Sequence, residues 1–220
     1  MLSEIKVQAL RQLAREGAGA LSLREVAREV GVVSSGLYRY FGSRDELLTA
    51  LIIDAYADLA TAVSEADRSQ PRTRYRRRWG RGCQAFRDWA LGQPHRFLLL
   101  YGSPVPGYAA PAETIEPAAA VIVGLLQVVG DAAAAQVIAD LPVPRDRILR
   151  GQLDRLATAL DFPLATGSTL QAVRAFAELA GLVTLELNGQ FVGGFEPADQ
   201  LFTAAVDHLA DQLGLPPARG

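Results

Sequence analysis

The residues best suited to chemistry lie between positions 34 and 40, where small, phenolic and guanidinium side chains follow one another: Ser34, Ser35, Gly36, Tyr38, Arg39 and Tyr40. Hydroxyl and guanidinium groups donate hydrogen bonds to phosphate oxygens and to base edges in the DNA major groove. The glycine would let the backbone approach DNA closely, at a cost of up to ~1 kcal/mol in helix propensity. The segment is therefore a candidate DNA-contacting surface.

Two predicted helices joined by a tight turn would position this surface. Ser22 precedes a helix over about residues 23–30, and Glu25 follows three residues later, which is the pattern of a capping box. Gly31 ends that helix, and a short helix over 34–40 follows. The positions predicted to face inward are apolar: Leu23, Val26, Ala27, Val30, Val32, Leu37 and Phe41. This pattern predicts a helix-turn-helix, with a plain helical hairpin inside a core as the alternative.

The rest of the chain is predicted to be helical as well. Ser43 is expected to cap a linker helix over about residues 44–66, and Pro71 to begin a helix that Gly92 and Pro94 end. Helical periods of apolar residues recur further along, at about 112–139, 145–160, 168–190 and 197–213. Because no paired strand pattern is present, the predicted fold class is all-α, with about nine to ten helices.

Composition narrows the class of protein. Of the 220 residues, 50% are hydrophobic and 21% charged, and the formal net charge is −2, which excludes a disordered chain. No apolar run reaches the ~20 residues of a membrane span, so we expect no membrane partner and a cytoplasmic location. One cysteine, Cys83, excludes an intramolecular disulfide, and His95 and His208 lack metal-ligand spacing. We find no catalytic constellation, and therefore expect no enzyme activity, no metal and no cofactor.

The N-terminal quarter of the chain closely resembles the DNA-binding domain of TetR-family transcriptional regulators. The resemblance rests on Ser22, Ala27, Gly31-Val32, Leu37-Tyr38-Arg39-Tyr40-Phe41, Ser43-Arg44-Asp45 and Leu47-Leu48. It implies a DNA-binding domain of three short helices over residues 1–46 and a ligand-binding and dimerisation domain over residues 47–220. It also implies a homodimer that binds a pseudo-palindromic operator, most often as a repressor, and that responds to a small-molecule effector.

The resemblance implies roles for individual residues. The helix over 34–40 would be the recognition helix, with Tyr38 on a phosphate, and Arg44 would touch the DNA backbone. Ser22 would bring a helix N-terminus to phosphate. The predicted DNA-binding residues are thus Ser22, Ser34, Ser35, Gly36, Tyr38, Arg39, Tyr40 and Arg44. Val33 stands where the family often has a capping Ser or Thr, so Ser34 or Ser35 is expected to supply the cap.

Two sets of residues in the larger domain are candidates for binding. Aromatic residues that could line an effector pocket are Phe86, Trp89, Phe97, Tyr101, Tyr108 and Phe176, although an ordinary helical core is the alternative. The last two helices are apolar on more than one face, so a partner is expected. The resemblance implies a four-helix dimer interface there, with candidate residues Ala177, Ala180, Gly181, Leu185, Phe202, Val206 and Leu209. A single monomeric core is the alternative.

Residues 68–96 hold nine arginines, which a simple charge count would assign to DNA. They follow a linker helix that rises about 33 Å, so they are predicted to lie far from DNA. We expect a solvated or ion-paired face, with a gate for an anionic ligand as the alternative. The rival function is that of a helical small-molecule or lipid-binding protein whose DNA module is vestigial.

Overall fold

The computed structural model describes residues 1–139, 141–161 and 164–217. Within these ranges the chain forms ten α-helices and no strand, which confirms the all-α prediction. The helices are α1 (Leu2–Glu16), α2 (Leu23–Val30), α3 (Ser34–Leu37), α4 (Arg44–Arg68), α5 (Tyr75–Gly92), α6 (Pro94–Tyr101), α7 (Ile115–Ala134), α8 (Arg147–Ala159), α9 (Thr166–Leu187) and α10 (Asp199–Gln212).

The first compact unit consists of Met1–Asp58 and Gly92–Ala118. Its core is formed by apolar side chains of α1, α2, α3, the first half of α4 and the connections between them: Ile5, Ala9, Leu21, Leu23, Val26, Ala27, Leu37, Phe41, Leu47, Leu48, Leu51 and Ile52. Val30 and Val32 are partly buried against this core. All the positions that the helix-turn-helix pattern directs inward therefore lie in the core or pack on it.

Residues that follow α5 in the chain also belong to this first unit. Leu99 of α6 and Val105 and Tyr108 of the next loop pack against the core. The Tyr108 hydroxyl lies 2.9 Å from Oγ1 of Thr49 in α4, within hydrogen-bond distance. Because α6 and this loop cover the core, the compact unit extends well beyond the domain boundary predicted at residue 46.

The second compact unit consists of the described residues of Leu59–Leu91 and Ala119–Gly220. Trp79 of α5 is buried, and its Nε1 donates to the carbonyl of Val206 in α10 over 2.9 Å. Phe86 is also fully buried, and its ring meets that of Phe176 in α9 edge to face at 6.2 Å. These contacts join α5, α9 and α10 in one core.

The arginine run is engaged in ion pairs with the acidic part of the second unit. Buried Arg78 binds both Asp67, with Nε to Oδ1 at 2.7 Å, and Asp131, with Nη2 to Oδ2 at 2.6 Å. Arg76 pairs with Asp211 of α10. These contacts confirm the predicted ion-paired face for the arginines that form them.

Helix α5 begins at Tyr75, so the prediction that Pro71 begins it is wrong. Residues 71–74 form a turn in which the Arg74 N–H donates to the Pro71 carbonyl over 3.0 Å. Side chains hold this turn: Arg72 reaches Oδ2 of Asp67 over 3.0 Å, and Nη1 of Arg78 donates to the Arg72 carbonyl over 3.0 Å.

Two helical stretches, Arg44–Arg68 and Ala112–Ala134, are long and apolar enough to cross a membrane by length and composition alone. This corrects the expectation that no segment reaches such a length. In their most apolar windows 44% and 39% of residues are buried. Core helices of soluble proteins meet the same criterion, and Leu47, Leu48 and Leu51 of α4 are core residues, so the two stretches are weak evidence for a membrane span.

Candidate nucleic-acid interface

Helix α3 and the turn that follows it have one buried side and one exposed side. Leu37 and Phe41 are buried in the core of the first unit. Tyr38 and Tyr40 are 47% and 46% exposed, and Arg39 between them is exposed as well. The two phenols and the guanidinium therefore share an accessible surface, together with the exposed Ser34 and Ser35 and the half-buried Gly36.

Helix α3 is shorter than predicted because it ends at Leu37 and not at residue 40. The N–H groups of Tyr40 and Phe41 both donate to the Leu37 carbonyl, over 2.9 and 3.1 Å, so residues 38–40 form a tight turn. The predicted capping by Ser34 or Ser35 is also wrong. Val33 occupies the N-cap position and no side chain caps the helix, since the Gly36 N–H donates to the Val33 carbonyl over 2.8 Å.

The turn between α2 and α3 is fixed by the conformation of Gly31. Its φ of 77° lies in the left-handed region, where a side chain would be strained. The Val32 N–H donates to the Ala27 carbonyl over 3.0 Å and the Gly31 N–H to the Arg28 carbonyl over 3.1 Å. This pair of bonds is the Schellman motif, which ends α2 and sets the direction of the chain into α3.

The capping box predicted at Ser22 is absent. Ser22 occupies the N-cap of α2 in an extended conformation, but its side chain makes no capping hydrogen bond. Its N–H donates instead to Oε1 of Gln12 in α1, over 3.1 Å. Glu25 accepts from Nε2 of the same glutamine over 2.9 Å. Gln12 was not predicted as a functional residue; the signal in the sequence is a polar residue on the apolar face of α1 that Ile5 and Leu13 define.

The cap predicted at Ser43 is present at the start of α4. The Ser43 Oγ accepts from the Glu46 N–H over 3.1 Å, and the Glu46 carboxylate accepts from the Gly42 N–H over 2.7 Å. The first turn of α4 thus has the serine cap that the first turn of α2 lacks, and its glutamate binds the N–H of Gly42, one residue before the capping serine.

Arg44 binds within the chain and is not directed at the exposed face of α3. Its Nη2 donates to the carbonyls of Ala18 and Gly19, over 2.9 and 3.2 Å, and Nη1 lies 3.6 Å from Asp45. The side chain that was expected to touch the DNA backbone therefore holds the connection between α1 and α2, because that connection presents two carbonyls to it.

The six aromatic residues predicted to line one pocket belong to two compact units. Phe97, Tyr101 and Tyr108 are in the first unit, where the ring centroids of Phe97 and Tyr101 lie 5.0 Å apart with the ring planes tilted by 45°. Burial, together with the nearby Tyr56, raises the pKa of the Tyr101 hydroxyl. Phe86, Trp89 and Phe176 are in the second unit. The structure does not bring the six residues together within one unit.

A surface cavity of about 400 Å³ lies elsewhere in the first unit, among α1, α4 and α6. It is lined by Leu2, Ser3, Lys6, Val7, Leu10, Leu51, Asp54 and Arg96. Lys6 pairs with Asp54 over 2.7 Å, and Arg96 pairs with Asp58 over 2.7 Å. Among the described residues, none of the six predicted aromatic residues lines this cavity.

The residues predicted for a dimer interface differ in exposure. Phe202, Val206 and Leu209 of α10 are buried within one protomer, so they are core residues and not an available surface. Leu185 of α9 is 46% exposed. Ala177 is exposed as well, whereas Ala180 and Gly181 are half-buried.

Comparison with known proteins covers both parts of the chain. Residues 5–51 match the bacterial regulatory proteins of the tetR family, and residues 79–209 match the tetracyclin repressor-like C-terminal domain. The HTH-type transcriptional regulator Rv1816 of Mycobacterium tuberculosis is 37% identical over 185 residues, which cover 82% of this chain and 78% of that protein.

Two solved structures are similar over nearly the whole chain. SCO4313 is 38% identical with a TM-score of 0.77, and the alignment covers 96% of this chain and 95% of the other. A protein from Rhodococcus sp. RHA1 is 26% identical with a TM-score of 0.74, covering 97% and 95%. The names of the matching families and of the Mycobacterium relative indicate a transcriptional regulator and not an enzyme, as predicted. The chain therefore belongs to the TetR family of DNA-binding transcriptional regulators.

Proposed function

We propose that the protein is a homodimeric repressor that binds a pseudo-palindromic operator and releases it when a small-molecule effector binds. The observation that carries the DNA contact is the exposure of the turn after α3: Leu37 at the end of the helix is buried, while Tyr38 and Tyr40 in the turn are half exposed. A dimer would present two such helices to successive major grooves about 34 Å apart.

The proposed DNA contacts come from α3, the turn after it and the start of α2. The hydroxyls of Tyr38 and Ser22 would donate to phosphates, and Arg39 would reach a phosphate or a base edge. Ser34, Ser35, Gly36 and Tyr40 complete the proposed surface. Arg44 would act through the carbonyls of the α1–α2 connection that it holds, as a positioning residue.

The weak charge of this region suggests how DNA is held. Residues 1–46 carry seven basic and six acidic side chains, the chain as a whole has a net charge of −2, and arginines of the cationic run are engaged by carboxylates. Affinity would then depend on a few placed donors, on helix N-termini and on two recognition helices per dimer. Because few phosphates are neutralised, we expect a shallow dependence of affinity on salt.

Dimerisation is proposed for the exposed face of α9. Val173, Ala177 and Leu185 are exposed at spacings of four and eight residues, which places them on one helix face. Gly181 lies between them, and a side chain at this position would meet no atom within 4 Å in the protomer. Such a face, apolar and partly built of small residues, allows close approach of a second helix.

The effector is proposed to bind in the second unit against Phe86, Trp89 and Phe176. The edge-to-face pair of Phe86 and Phe176 supports an aromatic site within the segment that matches the family's C-terminal domain. A coupling of ~1–3 kcal/mol between effector and DNA is typical of such regulators. An effector found by screening should change the protein's fluorescence, and the change should be smaller in Trp89→Phe, which keeps only Trp79. Because its partner is DNA, we place the protein in the cytoplasm.

Fluorescence anisotropy tests DNA recognition by α3, with a duplex selected by the wild-type protein from a random-sequence pool. Tyr38→Ala should weaken binding about tenfold or more, equivalent to ~1.4 kcal/mol. Tyr75→Ala, at the start of α5, is the control and should bind as wild type. Equal affinity of Tyr38→Ala and wild type at low salt would contradict the proposed contact.

A further inference from the structure

Gln12 is a buried polar side chain at the back of the helix-turn-helix. It is 2% exposed and lies on the face of α1 that packs into the core of the first unit. Its Oε1 accepts from the Ser22 N–H over 3.1 Å, and its Nε2 donates to Oε2 of Glu25 over 2.9 Å. Longer contacts of 3.4 Å run from Nε2 to the Ala20 carbonyl and to Glu16.

Gln12 takes the place of the glutamate in one of the two bonds that a capping box would make. In that motif the serine hydroxyl accepts from the glutamate N–H, and the glutamate carboxylate accepts from the serine N–H. Here Gln12 supplies a partner to the Ser22 N–H and also binds the Glu25 carboxylate. The second Glu25 oxygen accepts from Nη2 of Arg28 over 2.9 Å. Glu25 is thus held by two neighbours, and the Ser22 hydroxyl makes no capping bond.

We propose that Gln12 is a positioning residue for DNA binding, which keeps the Glu25 carboxylate away from the Ser22 N–H at the start of α2. The inference rests on the proposed contact between Ser22 and phosphate. A capping box would occupy the Ser22 hydroxyl and bring a carboxylate to the N–H groups that phosphate needs. Because the amide of Gln12 binds both the Ser22 N–H and the Glu25 carboxylate, the carboxylate does not close onto the first turn, and the Ser22 hydroxyl, which makes no capping bond, is left to bind phosphate.

The test is a double-mutant cycle between Gln12 and Glu25, read as affinity for the selected duplex. Gln12→Met keeps the length of the side chain but loses both hydrogen bonds. The Glu25 carboxylate then becomes free to accept from the Ser22 N–H. We expect affinity to fall about tenfold, equivalent to ~1.4 kcal/mol. Adding Glu25→Ala removes the competing carboxylate and should restore most of that loss. The single variant Glu25→Ala completes the cycle, because removal of a carboxylate near DNA by itself favours binding of a polyanion. A purely structural role for Gln12 predicts the same gain from Glu25→Ala in both backgrounds.

The outcomes separate this inference from the proposed function. If Ser22→Ala binds DNA as tightly as wild type, the proposed contact between Ser22 and phosphate is wrong, and the proposed role of Gln12 is wrong as well. If Ser22→Ala weakens binding but Gln12→Met does not, only the inference is overturned. Loss in Gln12→Met without rescue by Glu25→Ala also overturns it. Should Gln12→Met fail to fold by circular dichroism, Gln12→Asn replaces it, because its shorter amide stays polar yet withdraws from both partners.

Discussion

Arg78 donates from Nε to Oδ1 of Asp67 over 2.7 Å, and both side chains are buried in the second unit. The same guanidinium reaches Asp131, so one arginine joins the end of α4, the first turns of α5 and the second half of α7. A buried arginine with two carboxylates is costly to break, because removal of one member leaves uncompensated charges away from water.

Arg78→Ala should lower the free energy of unfolding by about 3–5 kcal/mol. The matched control is Arg77→Ala, one residue earlier in α5, where the side chain is exposed and the expected change is within ~0.5 kcal/mol. Urea unfolding followed by circular dichroism measures both. Similar midpoints for the two variants would show that the buried network contributes little to stability.

Asp131 should make the protein less stable as the pH falls into the acid range. Burial raises its pKa, but hydrogen bonds from Gln127 and Arg78 outweigh burial, so its pKa is lowered below 3.8. A group with a depressed folded pKa contributes stability that is complete above its unfolded pKa. That contribution is lost as pH falls from about 4 through the folded pKa. In thermal unfolding measured between pH 6 and pH 3, Asp131→Asn should therefore lose less stability on acidification than Glu65→Gln does.

Ser43→Ala should lower stability, whereas Ser22→Ala should weaken DNA binding. Ser43 caps α4 through its hydroxyl, so its loss should cost about 1 kcal/mol of stability. The Ser22 hydroxyl makes no capping bond, so Ser22→Ala should leave the unfolding midpoint unchanged and weaken DNA binding. Paired measurements of unfolding and of duplex affinity test this. A stability loss in Ser22→Ala equal to that in Ser43→Ala would indicate an ordinary cap at both sites.

Gly181→Leu should convert the dimer to monomers without unfolding the protomer. Neither Gly181 nor Gly80 of α5 has an atom within 4 Å of an added Cβ, so both accept a side chain locally. Gly80→Leu is therefore the matched control and should remain dimeric. Light scattering after size exclusion gives the mass of each variant. A dimeric Gly181→Leu protein would place the interface elsewhere.

Arg39→Gln should reduce the slope of log affinity against log salt by about 0.9 if its guanidinium neutralises one phosphate. Arg77→Gln and Arg81→Gln carry the same charge change in the cationic run of α5 and should leave the slope unchanged. Anisotropy titrations over a range of salt concentrations measure it. An equal slope change in Arg39→Gln and Arg81→Gln would bring the arginine run into the DNA interface.

Local chemistry made much of the helix-turn-helix predictable. The bounds of α2 follow from Ser22 and Gly31, which lie directly beside it. The cap at Ser43 was predictable because its partner, the Glu46 N–H, is three residues away.

Partners distant in sequence explain what could not be predicted. The Ser22 N–H is bound by Gln12, ten residues upstream, and not by Glu25, as the predicted capping box would require. Arg44 bonds to a carbonyl 26 residues earlier, a pairing that no local pattern reveals. Apolar periodicity in α10 likewise indicates burial at Phe202 and Val206, but it cannot tell a protomer core from a dimer interface.

The packing of Val105 and Tyr108 on the core beneath the helix-turn-helix limits how this protein can be cut and recombined. A fragment that ends after the first half of α4 would lose the cover of its own apolar core and expose it to water. Chimeras that exchange operator specificity with a relative should therefore carry two separate pieces of chain, residues 1–58 and 92–118, on one side of the exchange.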